Sequence, residues 1–134
     1  MASLLHGSCL CKATTFDIVD KDISPIICYC EHCTKLSGSI GSVIAVVKPE
    51  NFKISGPVKV YVTEATDSGK PKSIHSCEQC SCLIYTQPKA MGDLLCVRST
   101  LLDGEFPSLL NPSVEYYPEK RPGYCVLEIA NQKS

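Results

Sequence analysis

The sequence predicts a mainly β fold with little helix, and three observations support this. Short runs of β-branched and aromatic residues recur along the 134-residue chain and are separated by turn residues, which is the pattern of strands. Nine prolines and eight glycines interrupt the chain too often for long helices. Most of the ten cysteines fall into three clusters, so metal ions are expected to hold the short strands together.

The elements follow in order along the chain. The predicted strands are residues 14–18, 40–47, 52–54, 58–62, 94–97 and 125–129. A short helix or turn is expected at residues 31–36, directly inside the second cysteine cluster. Residues 64–72 and 101–112 are predicted loops, and the second is long enough to cover a site.

Size and charge limit the classes of function. The chain is long enough for one domain, taken as residues 1–134 with a core at about 5–130. Its net charge of −1 provides no field that would attract nucleic acid or an anionic membrane. No signal peptide or membrane-spanning run is apparent, so a cytoplasmic location is expected. The sequence does not indicate an oligomeric state.

Seven cysteines lie at spacings typical of metal ligands. They are Cys9-Leu-Cys11, Cys28-Tyr-Cys30-Glu-His-Cys33 and Cys77-Glu-Gln-Cys80. A two-residue gap lets a tight turn aim both sulfurs at one ion, and a one-residue gap on an extended chain points both side chains the same way. Thiolates select zinc, copper(I) or iron–sulfur clusters. Zinc is the preferred ion because it needs no cluster assembly, and iron–sulfur is the alternative.

Seven ligands divide into four and three, which predicts two zinc ions of different kinds. Cys28, Cys30 and Cys33 could hold one ion from a single loop and leave a coordination position open. The two outer pairs could close a tetrahedral site across the sheet, and losing that ion should unfold the domain. Spacing also allows both ions to be purely structural, as in a zinc ribbon.

The remaining cysteines and the polar residues near the clusters have weaker signals. Cys96 and Cys125 are interpreted as small buried apolar residues, whereas Cys82 could be an alternative ligand or a resolving thiol. His32 and Glu31, inside the second cluster, are the candidates for proton transfer. His75 could orient a thiolate, and His6 is interpreted as a surface residue. The cations that could bind a carboxylate are Arg98, Arg121 and Lys35. The residues interpreted as half-buried strand aromatics are Tyr116, Tyr117 and Tyr124.

The motifs Gly7-Ser-Cys9-Leu-Cys11, Cys28-Tyr-Cys30-Glu-His-Cys33 and Cys77-Glu-Gln-Cys80 resemble the glutathione-dependent formaldehyde-activating (GFA) family, which includes centromere-protein-V-like domains. The segment 52–61 is similar to a strand-turn-strand of that family. The resemblance covers residues 6 to about 85, with a weaker likeness at 115–124. It implies a Mss4-like fold of several short antiparallel sheets. It also implies a structural zinc at Cys9, Cys11, Cys77 and Cys80 and an open zinc at Cys28, Cys30 and Cys33.

The sequence departs from the family pattern at three places. Lys12 and Ser81 stand where a glycine is usual after a cysteine pair, and Ser113-Val114 replaces a His-Ile pair. The chain is also shorter than the glutathione-handling members. It is therefore interpreted as a short, divergent member of the family.

The resemblance implies an activity as well as a fold. Members of the family are described as carbon–sulfur lyases that handle the glutathione adduct of formaldehyde. The expected function is a zinc-dependent, lyase-type reaction on a small molecule: glutathione or another thiol adduct, or a reactive carbonyl or imine. An ion held by three thiolates suits a substrate thiolate better than a stable amide. The alternative is a non-catalytic protein-binding module that uses zinc for structure only.

Overall fold

The computed structural model describes residues 4–19, 23–104 and 111–125, and within them strands predominate. In chain order the strands are β1 (Leu4–Ser8), β2 (Thr15–Val19), β3 (Ser24–Cys28), β4 (Ser42–Val47), β5 (Phe52–Ser55), β6 (Val58–Thr63), β7 (Lys72–Cys77), β8 (Leu83–Pro88), β9 (Leu95–Arg98) and β10 (Val114–Tyr116). One α-helix, α1 (Glu31–Ser37), lies in the described part of the chain. Short 3-10 turns occur at Pro49–Asn51, Lys89–Met91, Ser99–Leu101 and Pro118–Lys120.

The strands form a small sheet and a large one. The small sheet has the order β1-β2-β5 and is antiparallel. The large sheet has the order β10-β3-β4-β9-β8-β7-β6, and its pairs are antiparallel except for the parallel pair of β10 with β3. The chain therefore crosses between the two sheets several times, which brings distant cysteines to the same junction.

The main core lies between the two sheets. Phe16 and Ile18 of β2 pack in one cluster with Val47 of β4, Ile84 of β8 and Val97 of β9, and each is at most 2% exposed. Side chains alternate between the faces of a strand, so the neighbouring residues on β4 and β9 face away from this core. Their side of the large sheet forms a second buried surface.

That second surface of the large sheet carries the candidate site. Ile26 on β3 lies opposite Ile44 on β4, and Cys96 on β9 lies opposite Thr86 on β8. These side chains are buried, and Lys72 at the start of β7 continues the row, paired with Pro88 on β8. Five neighbouring strands thus present one row of side chains to the same cavity.

The predicted mainly β fold with little helix is confirmed, and the predicted helix at 31–36 corresponds to α1. Five predicted strands match β2, β4, β5, β6 and β9, with small shifts at their ends. The sequence analysis missed β1, β3, β7, β8 and β10. Several of these carry polar residues or proline, which weakens the strand pattern. The predicted strand at 125–129 lies outside the described residues beyond Cys125, as do residues 105–110 of the predicted covering loop.

None of the described helices is long and apolar enough to cross a membrane.

Candidate metal centre

The first and third cysteine clusters meet at one end of the two sheets. Cys9 and Cys11 lie in the turn after β1, Cys77 is the last residue of β7, and Cys80 lies in the turn between β7 and β8. The four sulfurs lie within 4.8 Å of one another, with 3.6 Å between Cys9 and Cys11 and 3.7 Å between Cys11 and Cys77. Sulfurs about 2.3 Å from a tetrahedral zinc would be about 3.8 Å apart. The arrangement therefore fits a closed four-thiolate site.

Two turns, each closed by a backbone hydrogen bond, aim these sulfurs. The Lys12 N–H donates to the Cys9 carbonyl at 3.1 Å, and the Ser81 N–H donates to the Cys77 carbonyl at 2.9 Å. Both Lys12 and Ser81 adopt the left-handed conformation, with φ of 66° and 64°, which glycine adopts most readily. These are the two positions where the sequence lacks the expected glycine. Lys12 and Ser81 therefore carry side chains in a conformation that costs energy, while the four sulfurs still lie close enough for one ion.

The four-cysteine site joins the two sheets. Cys9 follows a strand of the small sheet, and Cys77 ends a strand of the large one. Both are buried, at 3% and 0% exposed. Contact with the Thr14 side chain, and next the backbone N–H of Cys80, lowers the pKa of Cys77 to about 6. A thiol with a low pKa is already a thiolate at neutral pH, which is the form that binds metal.

The second cluster forms where β3 passes into α1. Cys28 ends β3, Cys30 is the N-cap of α1, and Cys33 lies in the first turn of the helix. The Cys30 sulfur accepts the Cys33 N–H at 3.2 Å. All three are buried, and their sulfurs lie within 4.8 Å of one another. Hydrogen bonding with the Cys28 thiol, and next with that of Cys33, holds the pKa of Cys30 well below its usual range.

Among the residues that the structure describes, no fourth ligand side chain joins this three-cysteine group. Cys82 lies beside the other cluster, where its carbonyl accepts the Cys77 N–H at 2.9 Å, and it belongs to neither ligand group. His32 also lies outside both groups. The division into four and three that the spacing predicted is thus present in space.

The three cysteines line a cavity of about 220 Å³. Its wall is mostly apolar, from Ile26, Ile44, Pro88, Ala90, Met91, Tyr116 and Tyr117. Cys96, expected to be an inert buried residue, is 4% exposed and its thiol donates to the Met91 sulfur at 3.5 Å. Residues 66–68 of the predicted loop 64–72 form part of the rim. The arrangement matches a small-molecule site, with a few polar groups in an apolar pocket.

The two candidates for proton transfer lie in different environments. His32 lines the cavity. Burial is the main cause that lowers the pKa of His32, and the charge of Lys72 is the second. Its Nδ1 lies 3.2 Å from the Lys72 Nζ. Glu31 has a side chain that is 69% exposed and pairs with Lys35 at 3.3 Å. Its catalytic role stays a prediction, as does that of His32.

Apart from Arg98, the other polar candidates contact side chains outside the two cysteine groups. His75 stacks on Tyr85, with ring centroids 4.1 Å apart, so its ring contacts an aromatic side chain. His6 is a surface residue, 2.9 Å from Asp17. The remaining cations are Arg121, which pairs with Glu115 at 3.1 Å, and Arg98, which is 8% exposed.

The structure adds residues to the site that sequence reasoning did not single out. Lys72 is 7% exposed and lines the cavity, although in the sequence it is one of several scattered lysines. Tyr116 and Tyr117, expected to be half-buried strand aromatics, are 42% and 40% exposed and line the cavity, whereas Tyr124 is 79% exposed. No spacing signal connects these residues to the cysteines, because sheet order and a parallel strand pair bring them together.

Comparison with known families decides the assignment. The model of the glutathione-dependent formaldehyde-activating enzyme family matches residues 4–120. The chain belongs to this family. A crystal structure of a Rhodobacter sphaeroides protein has the same fold, with a TM-score of 0.62 at 14% identity over 82% of this chain and 98% of the other. No curated protein matches the sequence. In this GFA-family chain, both ligand sets implied by the resemblance are spatial clusters that could hold zinc.

Proposed function

We propose that the protein is a zinc-dependent, lyase-type enzyme that acts on a small molecule at the three-cysteine site. The observation that carries this proposal is that Cys28, Cys30 and Cys33 lie in the wall of a cavity and have no fourth ligand among the described residues. Family membership supports an enzyme of this class. A purely structural zinc would need a fourth protein ligand.

The chemistry of the donor set favours a thiol adduct or a reactive carbonyl or imine as substrate. When bound, a zinc ion with three thiolates would offer one position to a sulfur or oxygen and would stabilise charge there. The apolar wall would exclude water from the reacting group. Glutathione is one candidate thiol, and the volume of about 220 Å³ favours a compact substrate, because ligand pockets usually measure about 300–1,000 Å³.

His32 is the residue of the cavity best suited to move a proton. An ammonium group only donates hydrogen bonds, so Nδ1 of His32 accepts from Lys72 and the ring proton is on Nε2. The lowered pKa of His32 keeps the ring neutral near pH 7. A neutral ring can give the Nε2 proton to a leaving group while Nδ1 takes a proton from the Lys72 ammonium, so that no imidazolate forms, and solvent then returns a proton to Lys72. Glu31, on the exposed side of α1, would act on solvent protons only.

The test measures zinc per chain by native mass spectrometry and, separately, turnover. We expect two zinc ions in the wild type and one in Cys33→Ala, with a glutathione adduct on the wild type alone. Cys82→Ser is the matched control, and it should keep both ions. Because the condensation of formaldehyde with glutathione proceeds unaided, turnover is measured as exchange between free and adduct forms by NMR. One ion in both wild type and Cys33→Ala would refute the proposal.

The alternative function, a protein-binding module, has one feature in its favour. Among the described strands, β6 is an edge of the large sheet, and it exposes Val60, Tyr61 and Val62 at 54%, 65% and 60%. Exposed apolar edge strands pair with strands of other chains. This alternative predicts no small-molecule adduct at the three-cysteine site and loss of partner binding in Tyr61→Lys. The same mass spectra distinguish the two functions.

A further inference from the structure

Lys72 is a buried cation in the wall of the open cavity. It is 7% exposed, and its Nζ donates to Nδ1 of His32 at 3.2 Å. A lysine is rarely buried this deeply unless its charge is paired. An imidazole ring supplies no negative charge, so this hydrogen bond satisfies one donor and leaves the charge of Lys72 unbalanced. The ammonium has two further donors.

No carboxylate among the described residues balances Lys72. The carboxylate that lines the cavity, Asp67, pairs with Lys120 at 3.4 Å. Glu31, on the neighbouring helix, pairs with Lys35. Within the described part of the chain, the charges left to compensate Lys72 are therefore those of the metal site and of a ligand.

Arg98 is a second buried cation and adds to the positive charge near the cysteines. It is 8% exposed, it lies opposite Ile44 on the sheet face that carries the cavity, and no acidic side chain of the described part of the chain pairs with it. Burial lowers the pKa of Arg98, while the thiol of Cys33 acts in the opposite direction. A zinc ion with three thiolates carries one net negative charge, whereas Lys72 and Arg98 together carry two positive charges. One positive charge therefore remains unbalanced.

We propose that Lys72 is a specificity-determining residue that makes the open site bind an anionic fourth ligand, such as a thiolate, in preference to a neutral one. This inference rests on the proposed function. An anion in the fourth position would balance the remaining charge, whereas a neutral ligand would leave a buried cation uncompensated. The ligand class is therefore a compact thiol that loses its proton on binding, with an apolar body that fits the wall of the cavity.

The test uses cobalt-substituted protein, because the visible spectrum of cobalt reports changes of ligand. The probes are 2-mercaptoethanol, which binds as a thiolate, and imidazole, which binds as a neutral ligand. The variant is Lys72→Met, which keeps the length of the side chain and removes its charge. Lys70→Met is the matched control, because Lys70 is exposed and two residues away. Lys72→Arg retains the charge and should restore the preference for the thiolate.

We expect Lys72→Met to weaken thiol binding by about tenfold or more, because it removes a close opposite charge. Imidazole affinity should change less than about twofold, since a neutral ligand gains nothing from the ammonium. Lys70→Met should match the wild type. If Lys72→Met does not retain two ions per chain, Lys72→Gln replaces it and carries the same expectation. Equal loss for both probes would indicate a structural role and overturn the inference, and so would no loss for either.

Failure of the proposed function gives a different result. In that case the wild-type cobalt spectrum would not respond to either probe, or only one cobalt ion would bind per chain. A wild type that binds both probes, with unchanged selectivity in Lys72→Met, would refute the role of Lys72 alone.

Discussion

Replacing Lys12 by glycine should stabilise the protein. Lys12 has φ of 66°, and a non-glycine residue in this region costs about 1–2 kcal/mol. Its side chain is exposed, and the hydrogen bond from its backbone N–H to Cys9 would remain in the variant. Glycine therefore removes strain without removing a contact at the four-cysteine site.

The expected gain is the strain relieved minus the cost of a more flexible unfolded chain. Glycine raises that cost by about 0.4–1 kcal/mol, so the net stabilisation is roughly 0.5–1 kcal/mol. In a chain of this length, that corresponds to a rise in Tm of about 2–4 °C. Ser81→Gly should act in the same direction but by less, because the Ser81 hydroxyl accepts a hydrogen bond from Lys59 at 2.9 Å.

The assay is thermal unfolding followed by circular dichroism, with zinc in excess so that metal occupancy does not vary. The matched control is Lys53→Gly, because Lys53 is an exposed lysine in β5 without a positive φ. That variant should lose about 0.5–1 kcal/mol. If Lys12→Gly lowers the Tm as much as Lys53→Gly does, the left-handed conformation does not strain Lys12, and our account of the missing glycines is wrong.

Three further predictions concern the metal sites and the core. Cys77→Ser should lose the ion that joins the sheets and with it most circular dichroism signal, whereas Cys30→Ser should lose only the open-site ion and keep the fold. In protein that holds zinc only at the four-cysteine site, the lowered pKa of Cys30 predicts a thiolate at pH 7 that is protonated only in acid; Cys30→Ser should remove the ultraviolet absorbance of this thiolate, and an unchanged spectrum would contradict this. Gly7→Ala should destabilise the fold by about 1–3 kcal/mol, because its Cβ would overlap the Phe16 ring; Gly123→Ala, which meets no atom within 4 Å, should leave the denaturation midpoint unchanged.

The spacing of the cysteines was sufficient to predict both ligand groups, because each group is built from local turns. Cys28, Cys30 and Cys33 lie within one strand end and one helical turn, so their proximity follows from chain geometry. Cys9 and Cys11 form a pair for the same reason. The assignment of the Cys9 pair and the Cys77 pair to one ion followed from the number of ligands, since two cysteine pairs supply the four ligands of a tetrahedral zinc.

The fold was predictable in class but not in topology. Strands with strong β-branched patterns, such as β4 and β6, were found from sequence, whereas β7 and β8 carry several polar residues and were missed. A strand in the middle of a sheet is stabilised by its neighbours on both sides, so its own residues need not show a strong preference. The order of the large sheet, with β10 parallel to β3, has no local signal.

The sequence by itself determined which residues can bind metal, how they divide into four and three, and which family the chain resembles. The tertiary structure alone decided that Lys72 and Arg98 are buried on the face of the sheet that carries the open cysteines. Ligand spacing is local, because a turn aims two sulfurs wherever it occurs. The charge that surrounds an ion is not local, because it depends on which strands lie side by side and in which register.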